Sequence, residues 1–463
     1  MERTNIIETI NKAGEKVKVS GWVHNRRNHG KIVFIDLRDR SGILQVVFTD
    51  PEMVKDVRTE WVISIEGTIN KRPDKMINQN VPTGTVEMQA EKLEIINKAE
   101  TTPFAIDTDG YDINEEARLK YRYLDIRRER IKNNLILRHQ IIQYIRNFLS
   151  DKQFLEIETP ILTKSTPEGA RDYVVPSRLQ EGTFYALPQS PQQYKQLLMV
   201  GGIEKYFQIA RCFRDENARG DRQPEFTQLD LEMSFVERED VMAVNEELII
   251  NMVKNVCPKK EIQEIPFPRI SYKEAMEKYG TDKPDLRKDK DNKNLLAFCW
   301  IIDFPFFEKE DNGSWTFTHN PFSGPIPEHM EWLLKKENIG EILTTQYDIA
   351  LNGYELGGGS IRNHQPQALK AVFEIMGFEE QRIINNFGHM LEALSFGAPS
   401  HGGIAWGIDR LIMLLTNEAN IREVMAFPKA GDGRDLMMNA PSRIDDAQLK
   451  ELKIKVSEIK KNK

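Results

Sequence analysis

The stretch FRDENARGDRQPEFTQLDLEMSF (Phe213–Phe235) decides the fold of the central part of this chain. Its polar middle, ENARGDRQ, separates two strand-like segments and predicts an antiparallel hairpin with Arg214 and Phe226 on neighbouring strands. A second stretch far downstream, HGGIAWGIDR (His401–Arg410), supplies another arginine. The planar guanidinium group suits phosphate oxygens and can stack on a base. Because neither stretch contains GxxxxGK[ST] or GxGxxG, a nucleotide would be held by arginines on strands and a helix.

The whole chain has 463 residues, of which 40% are hydrophobic and 29% are charged. This composition is typical of a globular protein, and the length is sufficient for two or three domains. The net charge of −7 arises after residue 105, so it argues neither for nor against an RNA partner. RNA binding needs only a local basic stripe, and two runs qualify, Arg26–Arg27 and RLKYRYLDIRRERIK (118–132). The alternative to RNA binding is that each run forms the solvent-exposed face of a helix.

The three cysteines, Cys212, Cys257 and Cys299, are widely separated and lack the CxxC or CxH spacing of zinc sites. A disulfide framework is equally unexpected. The N-terminal segment is polar, and no apolar run approaches the ~20 residues that span a bilayer. These features predict a cytoplasmic protein with reduced thiols and no membrane association.

Residues 17–105 contain five short segments that are β-branched or alternating. This pattern suits a small OB-type barrel, a common module for single-stranded nucleic acid, although any small β-barrel looks similar. From Ile131 the apolar spacing becomes helical and continues to Ser150–Asp151, with one face formed by Leu135, Ile142, Ile145 and Leu149. FLEIETPIL (154–162) then predicts a strand with Pro160 near its end, at a sheet edge or break.

The two arginine stretches, taken with RQPEFTQLDLEMSF and GGIAWGIDR, resemble motifs 2 and 3 of the class II aminoacyl-tRNA synthetases. The surrounding residues narrow this resemblance to bacterial-type aspartyl-tRNA synthetases. It implies an α+β fold with an N-terminal OB-fold anticodon-binding domain (1–105), a hinge (106–130), a class II antiparallel-sheet catalytic domain (131–440) and a C-terminal extension (441–463). The implied activity is ATP-dependent attachment of L-aspartate to tRNA(Asp) through an aspartyl-adenylate.

Two features of the family bear on assembly and length. Its helix–strand–proline unit forms a homodimer interface, and a helix packed on a sheet edge within a monomer is the alternative here. Bacterial members also carry an inserted domain after a segment like DKPDLR. In this chain TDKPDLRKDKDNKN (281–294) reads as a solvated loop and leads almost directly into LLAFCW, so the insertion is absent near 287–295.

For ATP, the resemblance implies that Arg214 holds the α-phosphate, Arg410 reaches the γ-phosphate and Phe226 stacks on adenine. Arg214, Glu216 and Arg410 would carry catalysis, by positioning and charge neutralisation. The implied ATP contacts are Arg214, Asp215, Glu216, Gln223, Phe226, Glu355, Gly407, Ile408, Asp409 and Arg410. A surface strand with salt bridges is the alternative for FRDE on its own.

Asp348 and Glu355, in YDIALNGYELGGGSIR, are the implied Mg²⁺ ligands. A spacing of seven places them on opposite faces of a straight strand, so a bend or bulge would be needed for both to reach one ion. The alternative is a pair of surface acids. Glu355 lies just before Gly357, Gly358 and Gly359, which would allow close backbone approach to a ligand.

In the implied amino acid pocket, Lys195 and Arg362 face the side-chain carboxylate of aspartate. An asparagine amide would leave these cations underpaired, at a cost on the order of 10³-fold in discrimination. The implied aspartate contacts are Glu168, Ser190, Gln192, Lys195, Arg214, Asp230, His319 and Arg362. Among them, Glu168 lies in a loop that closes over substrate in the family. This chain has His-Asn-Pro-Phe where the family usually has His-His-Pro-Phe, which leaves Asn320 without a role.

The N-terminal barrel would read the anticodon, because unpaired bases stack on aromatic rings and are read on their edges by polar groups. The implied contacts are Arg27, His29, Phe34, Gln45, Lys75 and Glu87. The alternative for Phe34 is an aromatic residue of the barrel core. In the family, a histidine at the position of His29 accompanies acceptance of both tRNA(Asp) and tRNA(Asn), whereas a lysine at the position of Lys75 accompanies strictness. We favour relaxed specificity, which would require a partner amidotransferase to convert aspartyl-tRNA(Asn).

Two other functions remain open from the residues. An asparaginyl-tRNA synthetase is disfavoured by the cationic pair Lys195 and Arg362 and by the RDE form of motif 2. A non-catalytic RNA-binding paralogue would be expected to lose a phosphate arginine or a pocket cation, and this chain keeps them.

Overall fold

The computed structural model describes residues 1–166 and 168–457, and the chain divides into two compact units, Met1–Ile113 and Asn114–Lys463. Among the described residues, no helix combines the length and apolar character needed to cross a bilayer.

The first unit is a closed barrel, as predicted. Its strands are β1 (Lys16–His29), β2 (Ile32–Arg38), β3 (Ile43–Phe48), β4 (Val62–Lys71) and β5 (Val86–Asn97), and they pair in the order β1-β2-β3-β5-β4. Alternate residues of each strand point inward, so Val17, Val19 and Val23 of β1 are buried. A Cβ at Gly21 would lie 2.3 Å from the carbonyl oxygen of Arg38, so this position of β1 requires glycine.

The second unit combines helices with a large sheet, so the α+β prediction is confirmed. Its helices are α1 (Glu115–Lys120), α2 (Arg122–Asp125), α3 (Glu129–Asp151), α4 (Gln192–Val200), α5 (Arg238–Val256), α6 (Tyr272–Tyr279), α7 (Met330–Lys335), α8 (Pro366–Ile375), α9 (Glu380–Ser395), α10 (Ile408–Thr416) and α11 (Asp446–Glu451). Its strands are β6 (Leu155–Glu156), β7 (Val174–Pro176), β8 (Phe184–Ala186), β9 (Lys205–Phe213), β10 (Glu225–Ser234), β11 (Glu261–Ile262), β12 (Arg269–Ser271), β13 (Leu295–Leu296), β14 (Phe298–Ile302), β15 (Phe307–Lys309), β16 (Trp315–Phe317), β17 (Tyr347–Leu351), β18 (Tyr354–Ile361) and β19 (His401–Gly407).

Eight of these strands form the main sheet in the order β12-β14-β17-β18-β19-β10-β9-β6. The inner neighbours are antiparallel, and only the edge pairs β12–β14 and β6–β9 are parallel. Helices α3, α5 and α10 contribute to one apolar core with the sheet, which includes Ile145, Leu248, Leu411 and Trp406. The sheet thus supplies a rigid base whose strands β9, β10, β18 and β19 are adjacent.

The helix–strand–proline prediction is correct in order but not in detail. Helix α3 spans Glu129–Asp151 and buries Ile145 and Leu149, whereas Leu135 and Ile142 are only half-buried. The predicted strand FLEIETPIL shrinks to the two residues of β6, which pair in parallel with β9 at the sheet edge. The N–H of Ile157 still donates to the carbonyl oxygen of Phe207 over 3.1 Å, whereas Pro160, which has no N–H to donate, lies outside the strand.

Residues 280–294, all of which the structure describes, contain neither helix nor strand. Lys288–Asp291 at the middle of this segment is exposed, in agreement with the predicted solvated loop. The chain therefore passes from α6 to β13 without an additional folded domain.

Three arginines of the basic run 118–132 are buried, so they form neither a solvated face nor an exposed RNA-binding stripe. RNA binding by the rest of the run stays a prediction. Arg118, Arg122 and Arg128 are 5%, 2% and 1% exposed, although they lie in the segment predicted to be a hinge. Asp125 forms ion pairs with all three guanidinium groups, and Glu423 binds Arg118 over 2.7 Å. A run of basic residues in a sequence does not show which carboxylates from distant segments will pair with its arginines in the fold.

Glu423 gives this network a testable pH dependence. Burial alone would raise its pKa, but the hydrogen bonds and charge of Arg118, together with the charges of Arg130 and Arg122, lower the pKa to about 2. A carboxylate whose pKa is lowered on folding stabilises the fold above its unfolded pKa, and this contribution is lost as the pH falls through the folded pKa.

We expect Glu423→Gln to lower the free energy of unfolding by about 3 kcal/mol near neutral pH. The deficit should shrink as the pH falls from about 4.5 towards 2, because wild-type Glu423 is then protonated as well. Urea denaturation of both proteins between pH 7 and pH 3 measures the difference. Glu392→Gln, at an exposed position of α9, is the control. A deficit that is independent of pH would contradict the lowered pKa.

Candidate functional site

A cavity of about 650 Å³ lies in the second unit, over strands β9, β10, β18 and β19. Its lining contains nearly all the residues that the sequence analysis assigned to ATP, aspartate and Mg²⁺: Glu168, Ser190, Gln192, Lys195, Arg214, Glu216, Gln223, Phe226, Asp230, His319, Asp348, Glu355, Arg362, Gly407, Asp409 and Arg410. These residues come from eight segments of the chain between 168 and 410, so the fold brings them together.

Two predicted ATP contacts do not line the cavity. The side chain of Ile408 is fully buried in the core beneath α10. The carboxylate of Asp215 lies 3.9 Å from Nε of Arg171, outside the cavity lining. There is a geometric reason: neighbours of a site residue on a strand or at a helix start point their side chains to the other side. Their assignment as ATP contacts stays a prediction.

The predicted hairpin is confirmed. Strands β9 and β10 are antiparallel, with Cys212 opposite Phe226 and Phe213 opposite Glu225. The Arg214 N–H donates to the carbonyl oxygen of Pro224 over 2.8 Å, which fixes the residue at the start of the connection. Its guanidinium carbon lies 5.2 Å from the ring centroid of Phe226, within reach of a cation–π interaction.

Four cations of the cavity are paired with carboxylates. Arg410 binds Asp221 over 3.1 Å, Arg222 binds Glu216 over 2.6 Å, Lys195 binds Asp230 over 2.5 Å, and Arg362 binds Glu232 over 2.8 Å. Among the described residues, no carboxylate lies within ion-pair distance of Arg214. Its Nε makes one long hydrogen bond, 3.4 Å, to the carbonyl oxygen of Gln189. Arg214 is therefore the cation of this cavity with the greatest capacity to accept a new anion.

The predicted aspartate pocket is a buried cluster of two cations and two carboxylates. Lys195, Asp230, Glu232 and Arg362 are each at most 4% exposed. The guanidinium of Arg362 grips both oxygens of Glu232, at 2.8 and 3.0 Å. Lys195 and Arg362 are predicted to face the side-chain carboxylate of aspartate, and in the structure each already has a carboxylate partner from the protein. Buried charges need partners, and the protein supplies them.

Burial and charge act in opposite directions on the two carboxylates. Burial would raise the pKa of Glu232, but the charges of Arg362 and Lys195 outweigh it and lower the pKa. For Asp230 burial prevails over the charge of Lys195, and the pKa is raised. One oxygen of Asp230, Oδ2, is buried and has no hydrogen-bond partner among the described residues. That orphaned acceptor points to a missing donor.

Glu232 was not identified from the sequence, although a signal was present. It lies two residues after Asp230 on β10, so both side chains point to the same face of the sheet. Space for it comes from β19, where a Cβ at Gly403 would lie 2.1 Å from Glu232 Oε2. Gly403 of HGGIAWGIDR thus makes room for this carboxylate.

Asp348 and Glu355 line the same cavity, because the chain between them bends as their spacing requires. Strands β17 and β18 form a hairpin whose register shifts next to Ile349, so Asp348 lies opposite Gly358 and both acids line the cavity. A Cβ at Gly358 would be 2.5 Å from Asp348 Oδ1. The glycine run therefore makes room for protein atoms as well as for a ligand.

The electrostatics of this acid pair suit a cation. Burial and the nearby charge of Glu355 raise the pKa of Asp348 well above its ordinary value. Among the described residues, no group of three His, Cys, Asp or Glu side chains could hold a metal ion by itself. Two carboxylates completed by phosphate and water oxygens are a donor set that fits Mg²⁺.

The histidine motif of the pocket has a local explanation for its asparagine. Oδ1 of Asn320 accepts the N–H groups of Phe322 and Ser323, at 3.0 and 3.1 Å, and so closes the turn after His319. The ring of His319 packs edge-on against Phe304 at 4.8 Å, and burial lowers its pKa. Asn320 thereby acquires the structural role that the sequence could not give it.

In the first unit, five of the six predicted anticodon residues lie close together on the barrel. Arg27 binds Asp36 and Gln45, at 2.9 and 3.2 Å, and Gln45 donates to Glu87 over 2.9 Å. The rings of His29 and Phe34 meet edge-on at 5.6 Å. Phe34 is half-buried while Val33 and Ile35 fill the core, so the barrel-core alternative is wrong. Lys75 is exposed in a separate short helix, Asp74–Met76.

Both units of the chain are similar to known protein families. Residues 114–431 match tRNA synthetases class II (D, K and N), and residues 17–96 match an OB-fold nucleic acid binding domain. An aspartate–tRNA(Asp/Asn) ligase of Dehalococcoides mccartyi (strain CBDB1) is 40% identical over 588 positions, covering 97% of this chain and 98% of the relative. A ligase of the same name from Dictyoglomus turgidum is 42% identical over 98% of both chains. An aspartate–tRNA ligase of Staphylococcus epidermidis (strain ATCC 12228) is 39% identical over 96% of this chain and 97% of its own length.

The alignment with the Dehalococcoides protein is longer than this chain, at 588 positions against 463 residues, so at least 125 of its positions are gaps in this chain.

Solved structures share the fold. The asparaginyl-tRNA synthetase of Pyrococcus horikoshii, complexed with asparaginyl-adenylate, superimposes with a TM-score of 0.74 at 23% identity over 92% of this chain and 98% of its own. A putative aspartyl-tRNA synthetase of Leishmania major gives 0.73 at 21% identity, over 92% and 94%.

Proposed function

Because this chain belongs to the class II aspartate–tRNA ligases, we propose that it activates L-aspartate with ATP in the 650 Å³ cavity and transfers it to the 3′ end of tRNA(Asp). The proposal rests mainly on Arg214. This arginine lines the cavity next to the ring of Phe226 and has no carboxylate partner among the described residues. An unpaired arginine can bind the α-phosphate of ATP, where negative charge redistributes during adenylate formation.

The first step needs no side-chain nucleophile. The substrate carboxylate attacks the α-phosphorus, an oxygen–phosphorus bond forms, and pyrophosphate leaves. Arg214 holds the α-phosphate, and Arg410 exchanges its bond to Asp221 for the γ-phosphate. In the second step the ribose hydroxyl of the tRNA attacks the aspartyl carbonyl carbon and forms the aminoacyl ester. AMP leaves with the electron pair of the broken acyl–phosphate anhydride bond, and the hydroxyl proton is released. Positioning by these residues supplies the rate.

Asp348 and Glu355 would hold Mg²⁺, which when bound would offset charge on the ATP phosphates. Their shared cavity and the raised pKa of Asp348 support this assignment.

For aspartate, the unpartnered Oδ2 of Asp230 suits the α-ammonium group, with Gln192 and Glu168 alongside. The side-chain carboxylate would then meet Lys195 and Arg362, which share their charge between substrate and Glu232. An ammonium donor fits the orphaned acceptor because a buried carboxylate oxygen without a donor is costly.

Aspartate-dependent ATP–pyrophosphate exchange tests the proposal against its rivals. Exchange with L-aspartate and little with L-asparagine is expected. Exchange with asparagine alone would mean an asparaginyl-tRNA synthetase, and no exchange with either would mean a non-catalytic paralogue. Because this chain lacks at least 125 positions of the aligned relative, activity would also mean that the missing segment is dispensable for adenylate formation.

We also propose a cytoplasmic homodimer. Leu155, Ile161 and Leu162, around the predicted interface unit, expose 51%, 41% and 51% of their surface, and such an apolar patch suits a subunit contact. Sedimentation equilibrium measures the state directly, and a monomer at micromolar concentration would exclude the dimer.

The choice of tRNA provides another prediction. Aspartate and asparagine anticodons differ only at the third base, so discrimination rests on a few contacts of ~1–3 kcal/mol each. His29 is exposed beside Phe34, and two of the relatives described above carry Asp/Asn in their names, so we favour acceptance of both tRNAs. A partner amidotransferase would then be required for aspartyl-tRNA(Asn).

We expect kcat/KM for aspartylation of tRNA(Asn) to lie within about a hundredfold of that for tRNA(Asp), a difference below roughly 2.7 kcal/mol. His29→Leu should lower the value for tRNA(Asn) more than that for tRNA(Asp). Aspartylation assays with both purified tRNAs measure the ratio. A wild-type ratio above about a hundredfold means a strict enzyme and assigns the decisive contact to the region of Lys75.

A further inference from the structure

A chain of hydrogen bonds runs from helix α9 to the proposed aspartate site. Nε2 of His389 lies 2.6 Å from Oε1 of Gln193 on α4, and Nε2 of Gln193 donates to Oε1 of Glu168 over 2.7 Å. A second cavity, of about 230 Å³, is lined by all three side chains and shares Glu168 with the main cavity. Gln193 and His389 line only the second cavity, so they reach the main one through Glu168.

Only one arrangement of donors and acceptors satisfies this chain when Glu168 is ionised. A carboxylate only accepts, so the amide nitrogen of Gln193 must face Glu168, and its amide oxygen must face His389. The imidazole therefore carries its proton on Nε2. Burial and the charge of Lys164 lower the pKa of His389, which agrees with a neutral ring whose Nε2–H points at Gln193.

Glu168 depends on these donors because its side chain is half-buried between the two cavities. Burial raises its pKa, and the hydrogen bonds from Gln193 and from the hydroxyl of Thr166, 3.0 Å away, oppose that rise. The next residue, Gly169, has a φ of +112°, a conformation that side chains rarely adopt. The side-chain contacts that fix the direction of the Glu168 carboxylate are those with Gln193 and Thr166.

The rest of the loop is held separately. The side chain of Gln189 binds the N–H and carbonyl groups of Ala170, at 3.0 and 2.9 Å. Near its start, Thr163 meets the hydroxyl of Tyr194 at 2.8 Å. Loss of Gln193 would therefore leave the Glu168 carboxylate with the Thr166 hydroxyl as its remaining side-chain donor, while the two flanks of the loop stay anchored.

We propose that Gln193 and His389 are positioning residues that aim the Glu168 carboxylate at the α-ammonium group of aspartate. The inference rests on the proposed function, since it adds two residues to the amino acid half of that site. Neither side chain touches the substrate. Their effect is on the binding of aspartate and not on the chemistry at phosphorus, because the contact that they orient is the one with the α-ammonium group.

The test uses Gln193→Leu, which keeps most of the side-chain volume and removes both hydrogen bonds. We expect KM for aspartate to rise on the order of tenfold in ATP–pyrophosphate exchange, with KM for ATP and kcat nearly unchanged. His389→Ala should raise the same KM several-fold. His389→Gln, which retains an N–H donor, should restore it. Because both residues act through one contact, the double variant Gln193→Leu/His389→Ala should be no worse than Gln193→Leu.

Glu392→Ala, one turn along α9 and exposed, is the matched control and should match wild type. Equal rises in KM for aspartate and ATP, a fall in kcat alone, or additive effects in the double variant would overturn the proposal. Should Gln193→Leu fail to fold, the pair His389→Ala and His389→Gln still decides, since His389 is exposed and its replacement should leave the fold intact. An inactive wild type would reject the proposed function and this inference together, whereas an active wild type with unaltered variants would reject the positioning role alone.

Discussion

Replacing Arg214 by alanine is expected to lower kcat/KM for aspartate-dependent ATP–pyrophosphate exchange by roughly 10²–10³-fold. The guanidinium has no carboxylate partner among the described residues, so its removal takes away a contact that forms fully only with the phosphate in place. The same freedom means that the fold should tolerate the change, since no buried counter-charge is left behind. Exchange rates with purified protein, alongside thermal unfolding, measure both effects.

Arg211 provides the matched control, because it lies three residues earlier in the chain. Its guanidinium binds Glu225 and the hydroxyl of Thr227, away from the cavity lining. Arg211→Ala should therefore keep near wild-type exchange. Near-normal exchange by a folded Arg214→Ala protein would remove Arg214 from the mechanism.

Arg362→Leu should have the largest effect on stability and on aspartate binding together. It leaves Glu232 buried without its two-point partner, which costs roughly 3–5 kcal/mol in the free energy of unfolding. It also removes one of the two cations proposed for the substrate carboxylate. KM for aspartate should rise far more than KM for ATP, as measured by exchange at varied concentrations of each.

The double variant Arg362→Leu/Glu232→Leu separates the two roles. Removing both charges should recover much of the lost stability, because replacing a whole buried pair by apolar groups is often nearly neutral. Aspartate binding should remain poor, since the cation is still missing. Recovery of aspartate affinity in the double variant would mean that Arg362 acts only through the fold, and equal effects on both substrates would place it outside the pocket.

The hairpin of β9 and β10, the barrel and the residues of the cavity could be predicted from the sequence because each depends on short-range pattern or on motifs. Arg214 and Phe226 flank a continuous polar segment that predicts a turn, so the proximity of these two residues was predictable. Asp348 and Glu355 were predictable as a pair only on condition of a bulge, and the register shift beside Ile349 supplies it.

What could not be predicted is the pairing of charges across distant segments. Lys195 and Arg362 were predicted to face a substrate carboxylate, but the sequence did not show that Asp230 and Glu232 pair with them. Arg118 was expected at a surface, yet it is buried against Glu423. A buried charge is tolerated only where partners converge in three dimensions, and no local spacing encodes that convergence.

The bond between Arg118 and Glu423 joins residues 305 positions apart, and this separation constrains the order of events during synthesis. At about 5–20 residues per second, roughly 15–60 seconds pass between the emergence of the arginine and that of its partner. The barrel of Met1–Ile113 contains all its own strands and can close while translation continues. The start of the second unit, in contrast, carries arginines that cannot be buried until the ribosome has nearly finished. A message truncated before codon 423 should therefore yield a folded barrel followed by a chain that proteases remove.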